Sequence, residues 1–447
     1  MRDIKKPSIR YFLLFTLVKF YFRIYYRKFT IAGKENIPAN LPVIFAANHQ
    51  NALMDALAIL FAANRPVVFL ARADIFKKAI VARLLNFLKM LPVYRIRDGI
   101  DSMGQNQQVF GQTADILQSG IPLALLPEGT HSPIKRLQQL KKGVCRIAFM
   151  TAEASDFKID LHIIPTGIDY TSYSKAGTHL LVNYGKPVLI ADYYDLYRKN
   201  PQKAIAKLRD DLAIAIKKLM IHVEDEANYQ TIQSLTGILV SGYLKDKGLA
   251  DNRINRFAAS QEIIERIESA SSEKRIDMSQ IKTELSEYHS HIDRNKLKDK
   301  LLESAPPSYL NLIFSLLTSV LLFPVHVYGL ITNYLPYKLP VMISAKMKDP
   351  QFRSSVNFVL SFLVFPLWYL LWFSVIIIFS VKLLPALLIA LTWPVTGLFT
   401  FYNYIHLLKL GGKIRLHKLK RLQPEVFNQL LTTRQELAGV LKKLSEP

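Results

Sequence analysis

Three long apolar stretches near the C-terminus constrain this chain more than any other feature. Residues 309–331, 356–380 and 383–402 are apolar over 23, 25 and 20 positions. Coiled as a helix, each is long enough to span the ~30 Å hydrocarbon core of a bilayer. A helical membrane region is therefore predicted over residues 306–405. Pro324, Pro366, Pro385 and Pro394 fall inside the stretches. Lipid tolerates them as kinks or re-entrant turns.

Basic residues suggest how these stretches are arranged. Lys338, Lys346, Lys348 and Arg353 separate the first stretch from the second. Lys409, Lys413, Arg415, Lys418, Lys420 and Arg421 follow the third, at the start of a basic helical tail over 406–447. The positive-inside rule puts both groups on the cytoplasmic face. The last two stretches then form a hairpin that turns near Val381 and Lys382. If the first stretch also crossed, residues 1–308 would lie on the opposite face, although they too are rich in Lys and Arg. An interfacial or re-entrant stretch, bent at Pro324, removes the conflict.

Lys plus Arg is 58 and Asp plus Glu is 35, a net charge of +23. Such a balance suits either nucleic acid or an anionic membrane surface. The apolar excess, with a mean hydropathy of +0.14, favours the membrane and argues against nucleic acid. The single cysteine, Cys145, excludes a disulfide framework and a cysteine-rich zinc module, and fits a reducing compartment. In residues 1–30, eight Lys or Arg and one acid interleave with aromatic residues. That pattern reads as a helix lying in the membrane interface, or alternatively as a helix docked on the protein's own core. The apolar run from Tyr11 to Val18 is eight residues, too short to span, and no small-residue cleavage site follows it.

Residues 31–225 alternate in period. Strand-like runs at 42–47, 67–71, 121–126, 163–168 and 179–184 are separated by helix-like stretches at 52–63, 77–89, 103–119, 143–154 and 202–223. This alternation predicts an α/β domain with a mostly parallel sheet. Residues 226–305 are polar, charged and helix-prone, which predicts a helical linker domain.

The residues able to carry chemistry stand at strand ends. His49 follows the first strand, and Asp55 lies six residues on. On one helix the two would sit roughly 120° apart, at ~100° per residue, so they meet only if His49 lies in the turn and Asp55 in the helix. A carboxylate accepting the Nδ1–H would leave Nε2 free to take a proton. Glu128, Gly129 and Thr130 follow a second strand. The carboxylate can accept hydrogen bonds from a polyol, and Gly129 lets backbone approach a ligand. Arg95 and Arg97 follow a third, with guanidinium forks suited to a phosphate. Residues 163–167 end a fourth strand in a turn. His289, His291 and Asp293 could bind a cation, but a solvated helix face accounts for them better, and no metal or cofactor is expected.

These blocks, in this order, resemble the glycerolipid acyltransferase family that forms lysophosphatidate and phosphatidate. His49 with Asp55, the strand from Pro92 to Arg95, Pro127 to Thr130, Ile164-Pro165 and Lys142-Gly143 all match, within residues 35–225. The resemblance implies an α/β acyltransferase domain in which His49 is the general base and Asp55 orients it. Arg95, Arg97, Glu128, Gly129, Thr130 and Lys142 would bind substrate. The donor would be acyl-CoA or acyl carrier protein, the acceptor a glycerol-phosphate, and the setting a membrane with the catalytic domain on the cytoplasmic face. Two departures stand out. Five residues separate His49 from Asp55 where most members have four, a spacing closer to the membrane-bound branch acting on glycerol-3-phosphate or dihydroxyacetone phosphate. His131 stands where many members have Arg. Two rival readings remain: a non-catalytic lipid-binding protein, which would not need His49 and Asp55, and a lipid hydrolase, for which no Gly-x-Ser-x-Gly elbow occurs.

Overall fold

The computed structural model describes residues 4–6, 8–94, 102–303, 308–379 and 382–444. The chain forms two compact units, Met1–His222 with Ser344–Phe358, and Val223–Ile343 with Val359–Pro447.

The first unit is built on an eight-stranded sheet. Its strands are β1 (Lys28–Ala32), β2 (Val43–Ala47), β3 (Val68–Arg72), β4 (Met90–Val93), β5 (Leu123–Leu125), β6 (His162–Tyr170), β7 (His179–Tyr184) and β8 (Val188–Leu189). The order is β1-β7-β6-β2-β5-β3-β4, with β8 also paired to β6. β7 and β8 run antiparallel to β6, and the other pairings are parallel. The helices of this unit are α1 (Ile9–Tyr25), α2 (Leu53–Ala63), α3 (Ala79–Phe87), α4 (Ser102–Gln118), α5 (Gly143–Glu153), α6 (Tyr194–Lys199) and α7 (Pro201–Lys217).

The central strand β2 reads VIFAA, and all five residues are buried. An unbroken apolar run is what a parallel strand covered on both faces requires. Its side chains alternate between two cores. Ile44 and Ala46 face Leu117, Ala148 and Leu208, from α4, α5 and α7. Val43, Phe45 and Ala47 face Phe22, Ala58 and Phe61, from α1 and α2. α1 therefore docks on the domain through Tyr11, Phe22 and Tyr25, while Ile9, Phe12, Leu13, Leu17 and Phe20 stay exposed on its outer side. The buried face fits a helix docked on the protein's own core.

Residues 163–167 do not end in a turn. β6 runs on to Tyr170, and the reason is steric. A Cβ on Gly167 would lie 1.9 Å from the Leu219 carbonyl oxygen, so only glycine lets the strand continue beneath that segment.

In the second unit, α8 (Tyr229–Asp246), α9 (Arg253–Ser272) and α10 (Met278–Arg294) form the helical linker region. α11 (Tyr309–Leu321), α12 (Phe323–Ala345), α13 (Arg353–Ile378), α14 (Leu383–Leu422) and α15 (Pro424–Lys443) follow. α15 packs on α8 and α10. Arg434 Nε on α15 meets Asp299 Oδ1 at 2.8 Å, so the tail and the linker region form one bundle. α14 carries the third apolar stretch and the basic run from Lys409 to Arg421 on one unbroken helix of 40 residues, about 60 Å long at 1.5 Å per residue. A boundary at 405 thus falls inside a helix. α13 and α14 are each long and apolar enough to cross a membrane. α11 and α12 pass that test only together, and the chain bends by 55° between them. The bend falls at Leu322, with Pro324 in the first turn of α12, a position where its missing N–H is not needed.

Candidate active site

β6, β2 and β5 are neighbours and parallel, so their carboxyl ends open on one edge of the sheet. That edge is where ligands bind in open α/β sheets. β2 delivers the loop 48–52, β5 delivers residues 126–131, and β6 delivers Tyr170.

The loop after β2 is fastened on every side. The Asn48 side chain accepts from the Ile168 amide at 2.7 Å and donates to the Ile168 carbonyl at 3.0 Å, extending the β2–β6 ladder by one rung. Gln50 Nε2 donates to the Ile134 carbonyl at 3.0 Å, and Tyr173 donates to Gln50 Oε1 at 3.0 Å. The Ser132 amide donates to the His49 carbonyl at 3.1 Å. Ala52, at the N-cap of α2, has φ 45° and ψ −122°. A residue with a Cβ rarely adopts that conformation, and the strain costs about 1–3 kcal/mol.

Asp55 holds the strained turn. It is fully buried in the first turn of α2. Its Oδ2 accepts from the Gln50 amide at 2.8 Å and the Asn51 amide at 2.7 Å, and lies 2.9 Å from His49 Nδ1. Its Oδ1 accepts from the Tyr170 hydroxyl at 2.8 Å. A carboxylate at a helix N-terminus also lies at the positive end of the dipole. His49 therefore sits in the turn and Asp55 in the helix, the placement that allows the pair to meet. The imidazole presents Nδ1 to the carboxylate and leaves Nε2 available.

Glu128 is engaged by backbone, not turned outward. Its Oε1 accepts from the His49 amide at 2.6 Å and its Oε2 from the Gln138 amide at 3.1 Å. Burial pushes its carboxyl up to about 8, against the pull of those two amides. Gly129 (φ +70°) makes the turn that follows, where a side chain would be strained, and both it and Thr130 are exposed. Lys142 stands at the N-cap of α5, partly buried. Arg95 and Arg97 lie outside the described residues.

The His131 ring stands 5.3 Å from the His49 ring, centroid to centroid. Burial, and then the nearness of His49, hold its pKa below the usual histidine value. Among the described residues no three His, Cys, Asp or Glu side chains gather where they could hold a metal ion. Beside the loop, α1, α2 and the β3–β4 region line a half-open apolar pocket of about 100 Å³, with Tyr11, Phe15, Leu53, Leu57, Phe61 and Met90 among its walls. Leu53 is two residues from Asn51, so the cavity begins next to the His49 loop.

The acyltransferase family's sequence profile matches residues 28–169. That match takes in β1 to β5, β6 up to Asp169, and the segments carrying His49, Asp55 and Glu128. The chain is 29% identical over 141 residues to a 1-acyl-sn-glycerol-3-phosphate acyltransferase of Chlamydomonas reinhardtii, covering 31% of this chain and 40% of that one. It is 23% identical over 130 residues to glycerol-3-phosphate O-acyltransferase 2 of Saccharomyces cerevisiae, covering 29% and 17%. The chain thus spans less than half the length of either relative. Among solved structures it resembles the 1-acyl-sn-glycerophosphate acyltransferase PlsC of Thermotoga maritima, with 19% identity, a TM-score of 0.31, and coverage of 47% of this chain and 83% of that one.

Tyr170 lies beyond the strand-like run at 163–168, so the sequence carries no signal for it as a site residue. Nor does it carry one for Asp349, Phe352 and Ser354, which belong to the same compact unit as His49 but stand some three hundred positions away in sequence.

Proposed function

We propose that the protein is a membrane-held O-acyltransferase of glycerophospholipid synthesis. It moves an acyl chain from a thioester, acyl-CoA or acyl carrier protein, to a hydroxyl of a glycerol-phosphate acceptor. The observation that carries this reading is the 2.9 Å contact between His49 Nδ1 and a fully buried, fourfold-engaged Asp55. A protein that only binds lipid has no need of an oriented imidazole. In the proposed step, His49 Nε2 takes the proton of the acceptor hydroxyl as the oxygen attacks the thioester carbonyl; the tetrahedral intermediate then collapses, the C–S bond breaks, and the imidazolium returns the proton to the departing thiolate. Asp55 holds the tautomer and stabilises the imidazolium. General-base catalysis of this kind is worth about 10²–10⁴-fold. The thioester is already activated, so no enzyme nucleophile is required. The apolar cavity beside α2 suits an acyl chain, and Arg95 and Arg97 suit the acceptor phosphate.

The names of the two relatives point to two acceptors, 1-acyl-sn-glycerol-3-phosphate and glycerol-3-phosphate. We favour the first, and the five-residue spacing between His49 and Asp55 keeps the second in play. Both apolar helices and the basic segments fit a catalytic domain on the cytoplasmic face. The test is acyl-CoA consumption by the purified full-length protein with a panel of glycerol-phosphate acceptors. Thiol release that depends on one of them supports the reading, and none with any acceptor or donor sinks it.

A further inference from the structure

The loop joining α12 to α13 folds back onto the acyltransferase domain. Residues Ser344–Phe358 belong to the same compact unit as Met1–His222. Three anchors fix this segment. The Ser354 hydroxyl donates to Asn51 Oδ1 at 2.6 Å, two residues from His49. The Phe352 ring meets the His131 ring edge-on at 4.7 Å, and Asp349 Oδ2 lies 3.5 Å from His131 Nε2. Phe358 is buried against Tyr21, Phe22 and Tyr25 of α1, at ring distances of 5.3, 5.9 and 5.4 Å. His131 is thus held between the proposed base on one side and this segment on the other.

We propose that residues 347–354 form the acceptor-side wall of the active site, with Asp349 and Phe352 acting as positioning residues through His131. This inference rests on the acyltransferase reading. Two observations assign the wall to the acceptor. The apolar cavity suited to the acyl chain is lined by α1, α2 and the β3–β4 region and includes no residue of this segment. Residues 344–358 also carry Lys346, Lys348 and Arg353 against the single acid Asp349, an excess of two positive charges along the segment. Arg353 Nε is buried without a hydrogen-bond partner, while the residues on either side of Arg353 touch His131 and Asn51. A guanidinium in that position suits the oxygens of an anionic, phosphate-bearing lipid.

The experiment compares full-length Phe352→Ala, Phe352→Tyr and Asp349→Asn with wild type in mixed vesicles. The acceptor KM should rise about tenfold or more in Phe352→Ala and Asp349→Asn, with the donor KM unchanged and kcat within about threefold. Phe352→Tyr, which keeps the ring edge, should restore most of the acceptor KM. A rise in donor KM alone, or no change in either constant, overturns the proposal. Hydrogen exchange of residues 129–133 gives a readout that needs no activity. Faster exchange in Phe352→Ala and Asp349→Asn, with an unchanged melting temperature, supports the wall. Unchanged exchange in both variants overturns it, even if the wild-type protein proves inactive and the functional reading itself fails.

Discussion

The Glu128 carboxylate reaches across from the loop after β5 and accepts the His49 backbone amide at 2.6 Å. The acid of the Pro-Glu-Gly-Thr block thus fixes the height of His49, the proposed general base, above the sheet. Its second oxygen holds the Gln138 amide, so each carboxyl oxygen already accepts one backbone hydrogen bond. Two strand-end loops are locked to one another by a single buried side chain.

Replacing Glu128 by Gln keeps the shape but turns a donor toward one of the two amides. Leaving a buried amide unsatisfied costs about 1–3 kcal/mol. The effect should depend on pH. Burial raises the folded carboxyl from its ordinary 4.5 to about 8. A raised acid contributes stability that is complete below the unfolded value and is lost as pH rises through the folded one. The melting-temperature advantage of wild type over Glu128→Gln should therefore shrink between about pH 5 and about pH 8, then level off. A gap that widened with pH would contradict this.

Asp55 serves both the base and the turn. Asn at this position offers one oxygen in place of two and favours the wrong tautomer of His49. Transfer by Asp55→Asn should fall about 10³–10⁴-fold in kcat, and His49→Ala should fall to background. Asp55→Asn should also melt earlier, because the Gln50 and Asn51 amides share the oxygen it alters. His49→Ala should melt near wild type. Full activity in either variant would remove the proposed mechanism.

Tyr170 donates to the other oxygen of Asp55 from the end of β6. Tyr170→Phe deletes that one hydrogen bond and leaves the ring packed against Tyr26 and Tyr173. The loss should be about 1 kcal/mol in stability. It should lower kcat by roughly tenfold, with both KM values held, since 1.4 kcal/mol is a factor of ten. A change confined to KM would place Tyr170 in substrate binding instead.

Local pattern carried most of the first unit. The strands at 43–47, 68–72 and 179–184 and helices α2, α4 and α5 fall where the apolar runs put them, because buried parallel strands and amphipathic helices each leave a short-range signature. The His49–Asp55 pair was legible for the same reason, lying within one turn of one helix start. Glu128 was found as a residue, but its partner was not, since a contact between residues 49 and 128 leaves no trace in either loop. Asp349, Phe352 and Ser354 reach the site only by a return of the chain from beyond residue 343, which periodicity cannot express. The length of α14 was hidden too, because a helix can pass from apolar to basic without any break in its hydrogen bonding.

That return of the chain also constrains membrane topology. Between α1 and residue 303, no described helix is long and apolar enough to cross, so the α8–α10 helices should share the face of His49. The segment 344–358 packs in the same unit as His49 and should share that face as well. Both ends of the α11–α12 pair then lie on one side, which its 55° bend permits if the pair dips into the bilayer and returns. α13 would cross, the turn before Leu383 would lie on the far side, and α14 would bring its basic half back. Single-cysteine labelling checks each step. The native Cys145 is buried and its thiol is pushed up to about 12 by that burial, so it should stay silent. Lys199→Cys, Lys298→Cys, Lys346→Cys and Arg415→Cys should label from the same side of sealed vesicles, and Lys382→Cys from the other. If Lys346→Cys labelled opposite Lys199→Cys, the bent pair would be a true span. The segment 344–358 could not then reach His131, and the acceptor wall would fall with it.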